Sequence, residues 1–219
     1  MDGLHIKTYN SPPYNVNEIM RYAGVKDNYE NYLDILNECI DEISEKLTYK
    51  VCFCRVSVSI CDDKVDFGFS VTHSVDLTKN LNGCDNAIIF SATIGIELDR
   101  AIAKYSVVSP IKALFFQAIG AERIESLCDV FNDDAERTSF SENKYTRPRF
   151  SPGYGDFSLD FQKEIFRLLD CPRKIGLTLN DSLLMSPSKS VTGIIGIGNM
   201  VTNLTNCHSC SKTDCGFRK

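Results

Sequence analysis

The spacing of apolar and polar positions changes several times along this chain, and each change marks an element. Residues 28–47 carry Tyr32, Leu33, Leu36, Ile40, Ile43 and Leu47 at three- and four-residue spacing with acids between them, which predicts an amphipathic helix. From Tyr49 to Ile60 the period drops to two. Cys52, Cys54, Val56, Val58 and Ile60 alternate with Val51, Phe53, Arg55, Ser57 and Ser59, the pattern of a long strand. Asp62-Asp63 reads as a turn into a second strand, Val65 to Val71, and Ala87 to Ala92 as a buried strand. Thr93-Ile94-Gly95 leads into a helix over 96–105. The next helix starts at a capping residue, Ser109, with Pro110 at its first position. Ala113, Leu114, Ala118, Ala121, Ile124 and Leu127 carry it to Phe131 as a central packing element. Residues 132–148 are polar and read as a loop with a short helical part. Ser158 caps a helix to Leu169, and Lys174 to Leu179 and Val191 to Ile197 read as strands. Ahead of these, residues 1–14 form a leading arm broken at Ser11-Pro12-Pro13, and Asn15 or Asn17 caps a short helix through Tyr22. Strict βαβ alternation is absent, so the pattern predicts an α+β fold with a twisted, mostly antiparallel sheet flanked by helices. The chain divides into a domain over 1–203 and a cysteine-rich tail, 204–219, without periodicity.

Composition narrows the partners. With 219 residues, 43% hydrophobic and 24% charged, the chain is long enough and apolar enough for an ordinary globular core. Its net charge of −5 argues against a nucleic-acid partner. No apolar run approaches the roughly 18 residues of a membrane span. The start, Met1-Asp2-Gly3-Leu4-His5-Ile6-Lys7, has no secretory pattern, so a reducing cytoplasm is the expected compartment. That shapes the reading of the ten cysteines, which should be free or metal-bound rather than disulfide-paired. Cys39, Cys52, Cys54, Cys61, Cys84, Cys128 and Cys171 are scattered, and Cys52 and Cys54 read as small core hydrophobes on a strand.

Three segments carry candidate chemistry. In Arg147-Pro148-Arg149-Phe150-Ser151-Pro152-Gly153-Tyr154-Gly155-Asp156-Phe157, prolines and glycines shape an irregular backbone. A free guanidinium there can hold a carboxylate, and Tyr154 can stack on a heterocycle or face a cation, which suits a small zwitterion. A plain structural turn is the competing reading. The second segment, Pro187 to Gly193, is glycine-rich beyond Gly193 but does not match a phosphate loop, and reads more simply as a turn feeding a strand. The third, Cys207-x2-Cys210-x4-Cys215, can chelate zinc or an iron–sulfur cluster. Its fourth ligand is not evident (His208, Cys84 and Cys171 are candidates), and unliganded or redox-active thiols are the alternative. His5 and His73 have no triad-like context.

Taken in order, these segments resemble the activation domain of cobalamin-dependent methionine synthase. Arg149, Gly153 and Tyr154 match its RxxxGY motif. Lys174 to Ser182 and Pro187-x2-Ser190-Val191-x-Gly193 follow it in the same order, and Ser91-Ala-Thr-Ile-Gly95 with Asp99-Arg100, the helix from Lys112 to Asp129 and the cysteine tail resemble its free-standing form. The resemblance covers roughly residues 15–219. It implies S-adenosylmethionine in a groove, with Arg149 on the methionyl carboxylate, Gly153 permitting close backbone approach, Tyr154 lining the groove and the backbone of Phe150 and Ser151 at the adenine. It implies docking onto a cobalamin-binding methionine synthase module, an electron from a flavodoxin-type or similar donor, and reductive methylation of the inert cob(II) form. Two departures stand out. The stretch Ile194 to Asn199 has no tyrosine where the fused family has one, and the family's acidic N-terminal contact is not matched. These leave two other readings: a docking or capping module for a corrinoid protein without S-adenosylmethionine, and a metal or iron–sulfur redox protein using the tail.

Overall fold

A computed structural model describes residues 3–200. Its centre is a five-stranded, wholly antiparallel sheet in the order β1 (His5–Tyr9), β2 (Tyr49–Ser57), β6 (Cys84–Thr93), β10 (Ser190–Gly198) and β7 (Tyr145–Thr146). A small second sheet joins β3 (Ser59–Cys61), β4 (Lys64–Asp66) and β5 (Val71–His73), and a third pairs β8 (Thr178–Leu179) with β9 (Met185–Ser186). Helices cover both faces of the main sheet, as the α+β reading expects.

Each face has its own core. On one, Val51, Phe90, Ala92 and Ile195 meet α1 (Val16–Tyr22), α2 (Leu33–Ile43), α4 (Glu97–Val108) and the long α5 (Pro110–Ser141). On the other, Cys52, Cys54, Ile89 and Ile194 meet α3 (Val75–Asn80), α6 (Gln162–Leu169) and α7 (Cys171–Ile175). The strict alternation along β2 thus separates two buried faces, because the strand lies between β1 and β6.

Several boundaries differ from the sequence reading. The leading arm contains a strand, β1, whose mostly exposed side chains show no alternation because it is an edge strand. The long strand breaks after Ser57, and residues 59–61 enter the second sheet. α5 does not stop at Phe131. It runs ten residues further, with Ala135 and Ser139 continuing the buried stripe and an Asp134–Arg137 pair on the exposed side. Its N-terminus takes Pro110 as expected, but the Ser109 side chain makes no capping bond. Asn15 does cap, accepting from the Glu18 amide at 3.2 Å. Residues 171–175, partly read as strand, form a helical turn with Pro172 at its start and Gly176 at its end.

The buried cysteines behave as core. Burial pushes Cys52 and Cys128 up to about 12, and Cys39, Cys54 and Cys171 up to about 11. At pH 8, iodoacetamide should therefore alkylate the exposed Cys61 and spare these five until the chain unfolds, as read by peptide mass spectrometry. Alkylation of Cys52 or Cys171 in native protein would show that this core opens.

Candidate functional site

The site is built where the sheet edge meets α5. The segment after β7 continues along β10. Arg147 N–H donates to Gly196 O at 2.8 Å, and Phe150 exchanges two backbone bonds with Ile194, at 2.9 and 2.8 Å. Extended backbone sends successive side chains to opposite faces. Phe150 packs on the α6 side, and Arg149 faces α5.

There α5 presents Glu125, Cys128, Asp129 and Asn132 at one helical spacing. The Arg149 guanidinium lies among them. Nη2 donates to Glu125 and Nη1 donates to Asp129 Oδ1 at 2.8 Å; with the Asn132 amide turned so that its nitrogen donates to Cys128 O, its oxygen accepts from Nη1 at 2.9 Å. Its pKa is raised: burial works against the charge, and Cys128, Glu125 and Asp129 together outweigh it. The expectation of a free guanidinium in this loop is thus corrected. Arg149 is paired with two carboxylates, and the buried Arg147 donates to the carbonyls of Met200 at 2.8 Å and Asn82 at 3.1 Å. Polar positions on α5 went unread because they lie on a helix whose apolar face dominates the pattern. The signal was the i,i+4 pair Glu125 and Asp129.

Beyond Arg149 the chain turns sharply. Gly153 (φ +93°) and Gly155 (φ +53°) adopt left-handed backbone, which glycine tolerates best. Tyr154 projects from the turn, 54% exposed, with its ring edge-on to Phe150 at 6.0 Å. Burial, then the charge of Glu125, raises its phenol pKa, and Arg149 opposes this, which places Tyr154 in the field of the same ion cluster. Ser151 is buried and faces Gly193. A Cβ there would stand 3.5 Å from Ser151 Oγ and 2.6 Å from the Phe90 ring, so the glycine of the Pro187 to Gly193 segment serves close packing. The structure therefore brings Arg149, Phe150, Ser151, Gly153 and Tyr154 into one region. Cys207, Cys210 and Cys215 lie outside the described residues. Among those described, no group of His, Cys, Asp or Glu has the geometry to hold a metal, and His73 is exposed beside Asp63.

Asp156 anchors the turn. Its carboxylate accepts from Ser74 Oγ, from the Val75 amide at 2.7 Å and from the Asp76 amide at 3.1 Å, at the start of α3. The Ser74 bond, opposed by burial and aided by the amides, holds its pKa below the usual aspartate range. A depressed carboxylate contributes stability at pH values above its unfolded pKa, and that contribution is lost as pH falls through the folded value. Asp156→Ala should cost about 1 kcal/mol, as a lost helix cap does, and Asp156→Asn should flatten the stability profile below pH 4, both read by chemical denaturation.

Beside Asp129 a cleft of about 560 Å³ opens between the arm and α5, lined by Pro12, Tyr14, Asn17, Ser126, Asp129 and Val130 among others. The arm is fixed by Arg123, which bonds Glu122 and the carbonyls of Pro12 and Pro13 beneath the Tyr14 ring. The arrangement offers a cation already paired, two exchangeable carboxylates, an exposed aromatic ring and an adjoining cleft. The Cys128 thiol in this cluster is buried, which pushes its pKa up to about 12 and keeps it protonated.

A family profile described as "Vitamin B12 dependent methionine synthase, activation domain" matches residues 77–203. No curated protein matches the chain. Among solved structures, "Crystal Structure of the MetH Reactivation Domain bound to AdoHcy" aligns with a TM-score of 0.68 at 14% identity, covering 92% of this chain and 80% of that one. At that identity the likeness is one of fold. No helix among the described residues is long and apolar enough to cross a membrane.

Proposed function

Because the chain belongs to the vitamin B12-dependent methionine synthase activation-domain family, we propose that it binds S-adenosylmethionine at the Arg149–Tyr154 loop and aims the sulfonium methyl at a cobalamin-bearing partner. The observation that carries this reading is the ion cluster of Arg149, Glu125 and Asp129 beneath Tyr154. A zwitterionic methionyl group can enter by exchange. Its carboxylate takes the Arg149 fork, and its ammonium takes a carboxylate so released, leaving the number of ion pairs unchanged. The sulfonium then lies near the remaining acid and the Tyr154 ring, both attractive to a cation. The backbone of Phe150 and Ser151 borders the adenine, and Gly153 lets the main chain approach.

When docked, the corrinoid supplies the nucleophilic metal, with the electron coming from a flavodoxin-type or similar donor. The residues of this chain then have only to bind, orient and shield the donor. The structure solved with AdoHcy supports this reading at the level of fold. Titration calorimetry should show S-adenosylmethionine binding, and weaker binding of AdoHcy, whose thioether sulfur carries no charge, because the acids favour the sulfonium charge. Formation of methylcobalamin on the cognate corrinoid protein, with reductant and S-adenosylmethionine, tests the activity. Absence of binding, alone and with the partner present, would sink the proposal.

One observation favours the docking-module reading. Arg149 is already satisfied by two carboxylates and has no requirement for a ligand. That reading expects partner affinity, and reactivation if any, to be indifferent to Arg149→Ala. Loss of reactivation with docking intact would count against it.

A further inference from the structure

The turn between α4 and α5 carries an apolar tip. Val107 and Val108, the last residues of α4, are 88% and 70% exposed, more than any other large hydrophobic side chain among the described residues. Ile111 and Leu114, near the start of α5 at a spacing of three, are exposed as well. Single surface hydrophobes are ordinary, but these four fall within one stretch of chain, and a contiguous apolar patch marks an interaction surface. Beside the tip lies a groove of about 500 Å³, lined by Ala23, Val25, Tyr32, Ile111, Leu114 and Phe115. Lys26 and Asp27 also line it. Both are exposed, and neither has an ion-pair partner among the described residues.

We propose that this tip is a contact between two copies of the chain, paired about a two-fold axis so that Val107 and Val108 of each copy enter the groove of the other. Three observations choose this occupant. First, knob and groove adjoin on one surface and share Ile111 and Leu114. A two-fold contact needs such a self-complementary patch, in which each copy supplies both halves. Second, the groove carries one charge of each sign. Toward a partner of a single sign the two cancel, whereas a two-fold axis sets Lys26 opposite Asp27 of the second copy, twice over. Third, the tip is remote from the Arg149 cluster. Leu114 precedes Glu125 by eleven residues, which is about 16 Å along α5. A corrinoid partner drawn to the ligand loop does not need the tip, and two copies joined there leave that loop open. Two knobs and two grooves make an interface of the small class, about 1,200 Å² in total, so the pairing is reversible rather than obligate.

Sedimentation velocity of the full chain, without ligand, should show monomer passing to dimer with a dissociation constant between about 1 and 100 µM. Val107→Glu with Val108→Glu should weaken the pairing at least about thirtyfold, as loss of a central apolar anchor does. Both side chains already face solvent, so the variant keeps its fold, which circular dichroism checks. The charges give a second test. Lys26→Asp or Asp27→Lys alone should weaken pairing about fivefold, and the double exchange should restore it, because only a two-fold contact pairs these positions with each other. A chain that stays monomeric up to about 300 µM, well above that range, would overturn the proposal. So would association unchanged by the two glutamates, which would place it on another surface, or a double exchange as weak as the single ones. If the glutamates instead abolish binding of the corrinoid protein by a monomeric chain, the tip belongs to that partner and the proposal fails. None of the self-association readouts contains S-adenosylmethionine, so their failure leaves the ligand reading untouched.

Discussion

Arg149→Ala is expected to weaken S-adenosylmethionine binding by roughly 30- to 150-fold, the worth of about 2 to 3 kcal/mol in charge-assisted hydrogen bonds to a carboxylate. The fold should tolerate the change. The Glu125 and Asp129 side chains are 42% and 60% exposed and can rehydrate once the guanidinium is gone. Arg149→Lys should recover only part of the affinity, because an ammonium cannot present two parallel donors. Glu125→Gln and Asp129→Asn test the exchange itself. Removing an acid frees Arg149 for the ligand carboxylate but takes away a partner for the ammonium and sulfonium. The preference for S-adenosylmethionine over its demethylated product, which lacks the sulfonium charge, should therefore shrink. Calorimetry at two salt concentrations measures all four variants. Unchanged affinity in Arg149→Ala would remove the loop from the binding site and leave the docking reading in its place.

The sequence carried the fold further than it carried the site. Period-two alternation at 49–57 and the apolar run at 87–92 gave two central strands, and the pattern from Ala113 to Leu127 gave the helix packed on them. What it missed has a common cause. β1 is an edge strand with little burial, and the last ten residues of α5 are mostly solvent-facing, so neither imposes an apolar period. In the small second sheet the Asp62-Asp63 turn is legible, but the expected strand from Val65 to Val71 is broken into Lys64–Asp66 and Val71–His73, because three-residue strands carry no period of their own. In the candidate site, RxxxGY marks the loop because glycines and an aromatic in irregular backbone leave a trace in sequence. The partners of Arg149 left none. They come from α5, twenty and twenty-four residues earlier, and only the packing of β10 against that helix brings them together. The same contact turns an apparently free guanidinium into an ion cluster, so on the proposed function a ligand carboxylate has to exchange with Glu125 or Asp129 rather than fill a vacancy.

Arg123→Ala should be the most damaging single change to stability. Arg123 is fully buried, and Glu122, its partner, is 2% exposed. Removing one member of a buried pair strands the other charge, at a cost of about 3 to 5 kcal/mol. Here the loss extends further, because the guanidinium also bonds the carbonyls of Pro12 and Pro13 and stacks 3.9 Å from the Tyr14 ring centroid. Glu122 in turn accepts from the Asn15 amide at 3.2 Å and from Ser126 Oγ at 2.7 Å. The stretch of the arm that forms one wall of the cleft beside Asp129, Pro12 to Asn15, is therefore tied to α5 through this pair. Replacing both partners together, as Glu122→Gln with Arg123→Met, leaves no stranded charge and should cost less than Arg123→Ala alone. The double variant still loses the bonds to the arm. Two readouts separate the effects: urea denaturation reports the stranded charge, and S-adenosylmethionine affinity reports the wall. Arg123→Ala should lower both, and the double variant should restore stability more than affinity. If affinity returns in full with stability, the arm takes no part in binding, and the ligand rests on Arg149, Tyr154 and the acids of α5.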